Sequence, residues 1–135
     1  MRALDTNVLA RFFIDDPDDP QAAKQRPAAI GALSERAFVP VTVLLELEWV
    51  MRGFYEMGRR DIARVLSALA GIEHITIEDR TTVLAAIDGF NAGLDFADAL
   101  HLARSSRAVS FVTFDRRFAT RAQALALSPP VELLR

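Results

Sequence analysis

Short apolar runs alternate along this chain with longer stretches whose apolar residues return every three or four positions. The runs are Arg2-Ala3-Leu4, Ala37-Phe38-Val39-Pro40, His74-Ile75-Thr76-Ile77, Phe111-Val112-Thr113 and, as an edge strand, Val131-Glu132-Leu133-Leu134. Strands that are apolar without a break, each followed by helix, constrain the fold more than any other feature. Parallel strands need long crossovers, and a sheet joined by helices is covered on both faces. An α/β fold on a parallel sheet is expected. Chemistry in such sheets gathers beyond the carboxyl ends of the strands, where strand order switches. Asp5 and Asp115 stand just past two of these ends.

The helical stretches have recognisable starts and stops. Val8, Leu9, Phe12 and Phe13 recur at helical spacing, and the run from Asp15 to Pro20 breaks that helix. Asp19-Pro20 is a cap and first-turn pair for a helix reaching about Glu35, which Pro27 should kink or split. Thr42 is the expected cap of a helix carrying Val43, Leu44, Leu47, Val50, Met51 and Phe54 on one face. Gly58 and Gly71 bound the helix of Ile62, Leu66 and Leu69. Asp79 and Gly93 bound that of Val83, Leu84, Ile87 and Phe90. Asp95 should cap a helix to about Ser106, and a last helix should run from Arg116 to about Leu125.

At 135 residues with no linker or repeat, one domain over 1–135 is expected. The absence of cysteine excludes disulfides and thiolate metal sites, and two histidines cannot build a zinc site unaided. A metal here must be oxygen-ligated and hard, with Mg2+ or Mn2+ first. A net charge of −2 gives no global attraction to nucleic acid. Nothing near Met1 reads as a secretion signal and no apolar run spans a bilayer, so a cytoplasmic protein without a membrane partner is expected.

Five acids stand out against this frame. Asp5, Asp95, Asp98 and Asp115 fall at or near helix starts, where a carboxylate caps free N–H groups and meets the positive end of the dipole. Glu46 lies inside a helix beside an apolar stripe and has no capping role. Glu48, two residues on, should face solvent. Carboxylates gathered together repel unless a cation sits among them, and Mg2+ takes two or three of them with several waters. Asp95 and Asp98 share a helix face and can reach one site. One cleft holding the acids and a metal is the expectation.

The wording around the acids is more specific than their spacing. Leu4-Asp5-Thr6-Asn7, Leu44-Leu45-Glu46-Leu47, Asp95-Phe96-Ala97-Asp98-Ala99-Leu100 and Val112-Thr113-Phe114-Asp115-Arg116-Arg117-Phe118 together resemble the PIN domain. More narrowly, they are similar to the single-domain PIN ribonucleases that act as toxins in VapBC toxin–antitoxin pairs. The resemblance implies a three-layer α/β/α sandwich with a central parallel sheet of four to five strands, in order 3-2-1-4-5. It implies RNA cleavage with one or two Mg2+ or Mn2+ ions, a homodimer, and a small VapB-like antitoxin whose tail blocks the cleft. The family's acids fall on Asp5, Glu46, Asp98 and Asp115, with Asp95 beside them. Its small polar positions fall on Thr6, Asn7 and Thr113.

Metal-activated water attacking phosphorus in line would leave 5′-phosphate ends. Asp5, Asp98 and Glu46 are the expected ligands, Asp115 a second-ion ligand or water-orienting group, and Thr6, Asn7 and Thr113 hydrogen-bond donors behind them. Arg116 and Arg117 are the best-placed phosphate contacts, with Arg11 and Arg104 behind, against the alternative of a solvated helix face. His101, one turn after Asp98, could touch the cleft, but reads better as a surface or partly buried histidine. Trp49, Phe54 and Tyr55 read as core or as a groove for a partner helix. A receiver domain needs a late lysine, and the single lysine is Lys24. A haloacid-dehalogenase-type phosphatase needs an acid where Asn7 stands. The rival that remains is a non-catalytic module of the same fold, binding metal, RNA or a partner.

Overall fold

The computed structural model describes residues 1–135, which divide into two units, Met1–Arg80 and Thr81–Arg135. In the first, β1 (Arg2–Ala3), α1 (Thr6–Phe13), α2 (Pro20–Leu33), β2 (Ala37–Val39), α3 (Val41–Gly53), α4 (Arg59–Ala70) and β3 (Ile75–Ile77) follow one another. The strands pair in parallel in the order β1-β2-β3, with Arg2 opposite Ala37 and Val39 opposite Ile77. Leu4 N–H extends the ladder to the Phe38 carbonyl at 2.9 Å. Helix α1 packs on α2 and α3, α3 on α4, and α4 on β3. Leu9, Val39, Leu44, Leu47, Met51, Ile62, Leu66 and Leu69 fill this core. Each such side chain contributes about 1.5–3 kcal/mol by leaving water.

The second unit holds α5 (Arg80–Asn91) from its second residue, α6 (Phe96–Ala103), β4 (Phe111–Thr113), α7 (Arg116–Ala124) and β5 (Val131–Leu133). Strands β4 and β5 pair in parallel from Phe111 opposite Val131 to Thr113 opposite Leu133, and α7 packs on β5. Two edge-to-face aromatic pairs, Phe90–Phe96 at 6.0 Å and Phe111–Phe118 at 5.7 Å, join helix to helix and strand to helix.

The α/β class and the parallel pairing agree with the sequence. Of the expected order, the segments 3-2-1 and 4-5 are formed, as two sheets. Strand β1 is two residues long and exposed at both, where burial was expected; its backbone bonds run to β2. Thr76 and Val112 are also exposed, so β3 and β4 alternate between faces where both faces were expected to be covered. Pro27 does not split α2. Pro27 and Ala23 are both exposed, so the carbonyl deprived of a donor meets water.

Thr42 does not cap α3. The helix opens at Val41, and Glu78, at the end of β3, reaches across to accept from Val41 N–H at 2.8 Å. A distant carboxylate thus does what a local hydroxyl was expected to do, with the dipole in its favour. No helix is long and apolar enough to cross a membrane.

Candidate acidic site

In the first unit, β1 delivers Asp5 in extended conformation to the start of α1. There its Oδ1 accepts from Thr6 N–H at 2.8 Å. Thr6 is buried, and its hydroxyl donates to Oε1 of Glu46, which is itself exposed on α3. One threonine thus bonds one acid through its backbone and another through its side chain. Asn7 is exposed in the first turn of α1.

Glu48 corrects the sequence reading. It is only 2% exposed, where a surface charge was expected. The buried face of α3 is Val41, Leu44, Leu47, Glu48 and Met51, and Glu48 falls one turn from both Leu44 and Met51. Burial of the charge is offset by Arg52, whose Nε donates to Oε2 at 2.9 Å from one turn on. The stripe turns accordingly. Trp49 and Phe54 are 62% and 70% exposed, not core, and Tyr55 lies edge-on to Phe54 at 4.9 Å. Arg11, expected near phosphate, donates to the Tyr55 hydroxyl at 2.8 Å and to Gln25 Oε1 at 3.0 Å.

In the second unit, the chain leaves α5 through Gly93, at φ +110, and Leu94. Gly93 N–H bonds to Phe90 O and Leu94 N–H to Gly89 O, which is a Schellman ending. Asp95 follows directly as the cap of α6, its Oδ2 accepting from Asp98 N–H at 3.4 Å. Asp98 points from the first turn. Its carboxyl titrates above the usual 3.8, first because it is partly buried, then because Asp95 and Asp115 face it, with His101 pulling weakly the other way. Asp115 caps α7, accepting from Phe118 N–H at 3.1 Å. Thr113 fixes that turn as an acceptor rather than as the expected donor, its Oγ1 taking Asp115 N–H at 3.0 Å. Arg116 and Arg117 are exposed in the first turn of α7, and His101 is exposed on α6.

The structure therefore joins Thr6 with Glu46, and Asp98 with Asp95 and Asp115. No three His, Asp or Glu side chains are gathered closely enough to enclose a metal. Asp5, Asp95 and Asp115 each spend an oxygen on a helix start. The donor set nonetheless suits a hard cation: its atoms are carboxylate oxygens and no thiolate competes. Sequence reasoning missed Glu78, Glu48 and Arg121, which donates from α7 to the Gly93 carbonyl. Only Glu48 left a local signal, the Glu-Arg pair four residues apart.

Residues 2–124 match the sequence model of the PIN domain family. The chain is 26% identical over 121 residues to a VapC ribonuclease of Aquifex aeolicus (strain VF5), covering 87% of this chain and 90% of that protein. No solved structure matches it.

Proposed function

Since the chain belongs to the PIN domain family, we propose that it is a divalent-metal-dependent endoribonuclease, the toxin of a type II toxin–antitoxin pair. The proposal treats 1–135 as one domain, which the single family match running from residue 2 to 124 supports. The observation that carries the reading is the placing of three acids at adjacent helix starts in a chain of this family: Asp95 caps α6, Asp98 lies in its first turn with Asp95 and Asp115 facing it, and Asp115 caps α7.

Asp5, Glu46, Asp98 and Asp115 would hold Mg2+ or Mn2+, one ion or two, with Asp95 beside them. A bound divalent ion supplies an ionised water at neutral pH and stabilises charge on the phosphorus oxygens. The remaining work falls to the chain. Thr6 fixes Glu46 through its hydroxyl and keeps that carboxylate from rotating away. Thr113 holds the turn that aims Asp115. Arg116 and Arg117 sit at the positive end of the α7 dipole, where a cation costs about 0.3–1 kcal/mol. Two arginines accepted at such a place fit a phosphate contact, to which arginine offers a fork of donors. A cytoplasmic location, a homodimer and a small antitoxin partner belong to the same reading.

The test is cleavage of end-labelled structured RNAs by the purified protein with Mg2+, Mn2+ or chelator, beside Asp98→Asn. The expected result is metal-dependent product bearing 5′-phosphate. The variant should lose at least about a hundredfold, beyond what outer partners of a metal cost. Equal cleavage by Asp98→Asn, or cleavage indifferent to chelator, overturns the reading.

A further inference from the structure

The two acid-bearing helices of the second unit are tied together by one contact that their own caps do not explain. Arg121, in the last turn of α7, donates through Nη1 to the carbonyl of Gly93. Gly93 is the left-handed residue of the α5 ending, and its N–H is already spent on Phe90 O. The carbonyl that Arg121 takes lies two residues before Asp95. The helix that carries Arg121 in its last turn is capped at its start by Asp115. A single guanidinium therefore connects the helix capped by Asp115 to the turn that launches Asp95 and Asp98.

The turn is shaped to admit that guanidinium. A Cβ at position 93 would stand 2.8 Å from Arg121 Nη1 and 3.4 Å from its Cδ and Cζ, and φ +110 disfavours any side chain there. Glycine is thus required twice over, by the backbone and by the arginine lying against it. What Arg121 holds is a backbone oxygen, not a carboxylate. The groups that move Asp98 are Asp95, Asp115 and His101, with burial ahead of them all. The influence of Arg121 on the acids must pass through backbone position.

We infer that Arg121 is a positioning residue, which through the Gly93 carbonyl sets the separation between the α6 acids and Asp115. The inference rests on the acid reading given above. Asp98 and Asp115 stand on different helices, and the caps formed by Asp95 and Asp115 hold each acid to its own helix only. A brace between turn and helix fixes one helix start against the other. Arginine suits it, being charged at every working pH and offering a planar fork to a backbone oxygen.

The experiment measures Mn2+ affinity by titration of the full chain, followed by electron paramagnetic resonance of free Mn2+. It compares wild type, Arg121→Ala, Arg121→Lys and Asp98→Asn, with thermal melts in chelator alongside. Arg121→Ala should bind Mn2+ roughly tenfold more weakly, the low end for partners behind a metal ligand. Arg121→Lys, which keeps a donor, should recover most of the loss. A purely structural arginine would lower the melting temperature of Arg121→Ala and leave Mn2+ affinity of the folded protein unchanged; that result overturns the inference. If Arg121→Ala does not fold, Arg121→Met, which keeps the length of the side chain without a donor, takes its place, and unchanged Mn2+ affinity in that folded variant overturns the inference. Should Asp98→Asn bind Mn2+ like wild type, the acid reading has failed and the inference with it. Loss in Asp98→Asn with none in Arg121→Ala removes the brace only.

Discussion

The acids of the two units share helix-start caps but differ in what else surrounds them. In the first unit, carboxylates are held by donors: Thr6 gives its N–H to Asp5 and its hydroxyl to Glu46, and Arg52 reaches back to buried Glu48. In the second, Asp95 and Asp115 also take a backbone N–H each, but they face Asp98, which burial, Asp95 and Asp115 make a weaker acid. Charge in the first region is satisfied by the protein itself. In the second, the charge on Asp98 is disfavoured by burial and by its acidic neighbours. The lesson is that a run of acids in a sequence says little until one knows which have been given donors.

Thr6→Val is the sharpest way to break the first half of this comparison. Valine fills the buried site but offers Glu46 nothing, and cleavage should fall roughly tenfold, the worth of a charge-assisted hydrogen bond. Because Glu46 is exposed and can turn to water, the melting temperature should barely move. Single-turnover cleavage at saturating Mn2+ reads the first quantity, a thermal melt the second. Activity equal to wild type would show that the threonine is packing only.

Arg52→Ala probes the same donor principle through stability. It strips the nearest cation from a carboxylate almost wholly out of water, and chemical denaturation should show a loss of about 1–3 kcal/mol. Adding Glu48→Leu to it should recover most of that, since a buried ion pair is often replaceable by apolar volume. A double variant no more stable than Arg52→Ala would mean that the helix face, not the charge, was lost.

The smallest effect belongs to the second region and depends on pH. A carboxyl whose folded pKa lies above its unfolded 3.8 binds more protons when folded, so stability falls as pH rises through that interval and stays lowered above it. In chelator, Asp98→Asn should therefore melt slightly above wild type at pH 7, and the difference should vanish below about pH 3.8. Added Mn2+ should reverse the order at pH 7. A variant that melts below wild type at pH 7 without metal would sink the picture of an unsatisfied acid group.

Much of this was legible in the residues. Helical spacing and paired stop signals placed α2 by Asp19-Pro20, α4 by Gly58 and Gly71, and the end of α5 by Gly93. Those signals are local, and the forces they report are local. What escaped depends on distant partners. The cap of α3 comes from Glu78, 37 residues beyond the helix start, and no window around Thr42 contains that fact. The face of α3 was read with Val50 and Phe54 inside and Glu48 outside. A period of 3.6 fits both choices over so short a helix, and the decision fell to the core and Arg52. The acids themselves were visible as motifs. Which of them would meet a donor and which a rival charge was not, because a sequence does not state distances.

Trp49 is the only tryptophan of the chain, and it stands exposed on α3 three residues after Glu46, hence on the same side of the helix. An indole in water emits at long wavelength, and any ligand that dries or quenches that side changes the emission. The chain thus carries an intrinsic fluorophore beside one of its acids, so that the approach of ions or polymers to Glu46 can be followed in real time without attaching a dye.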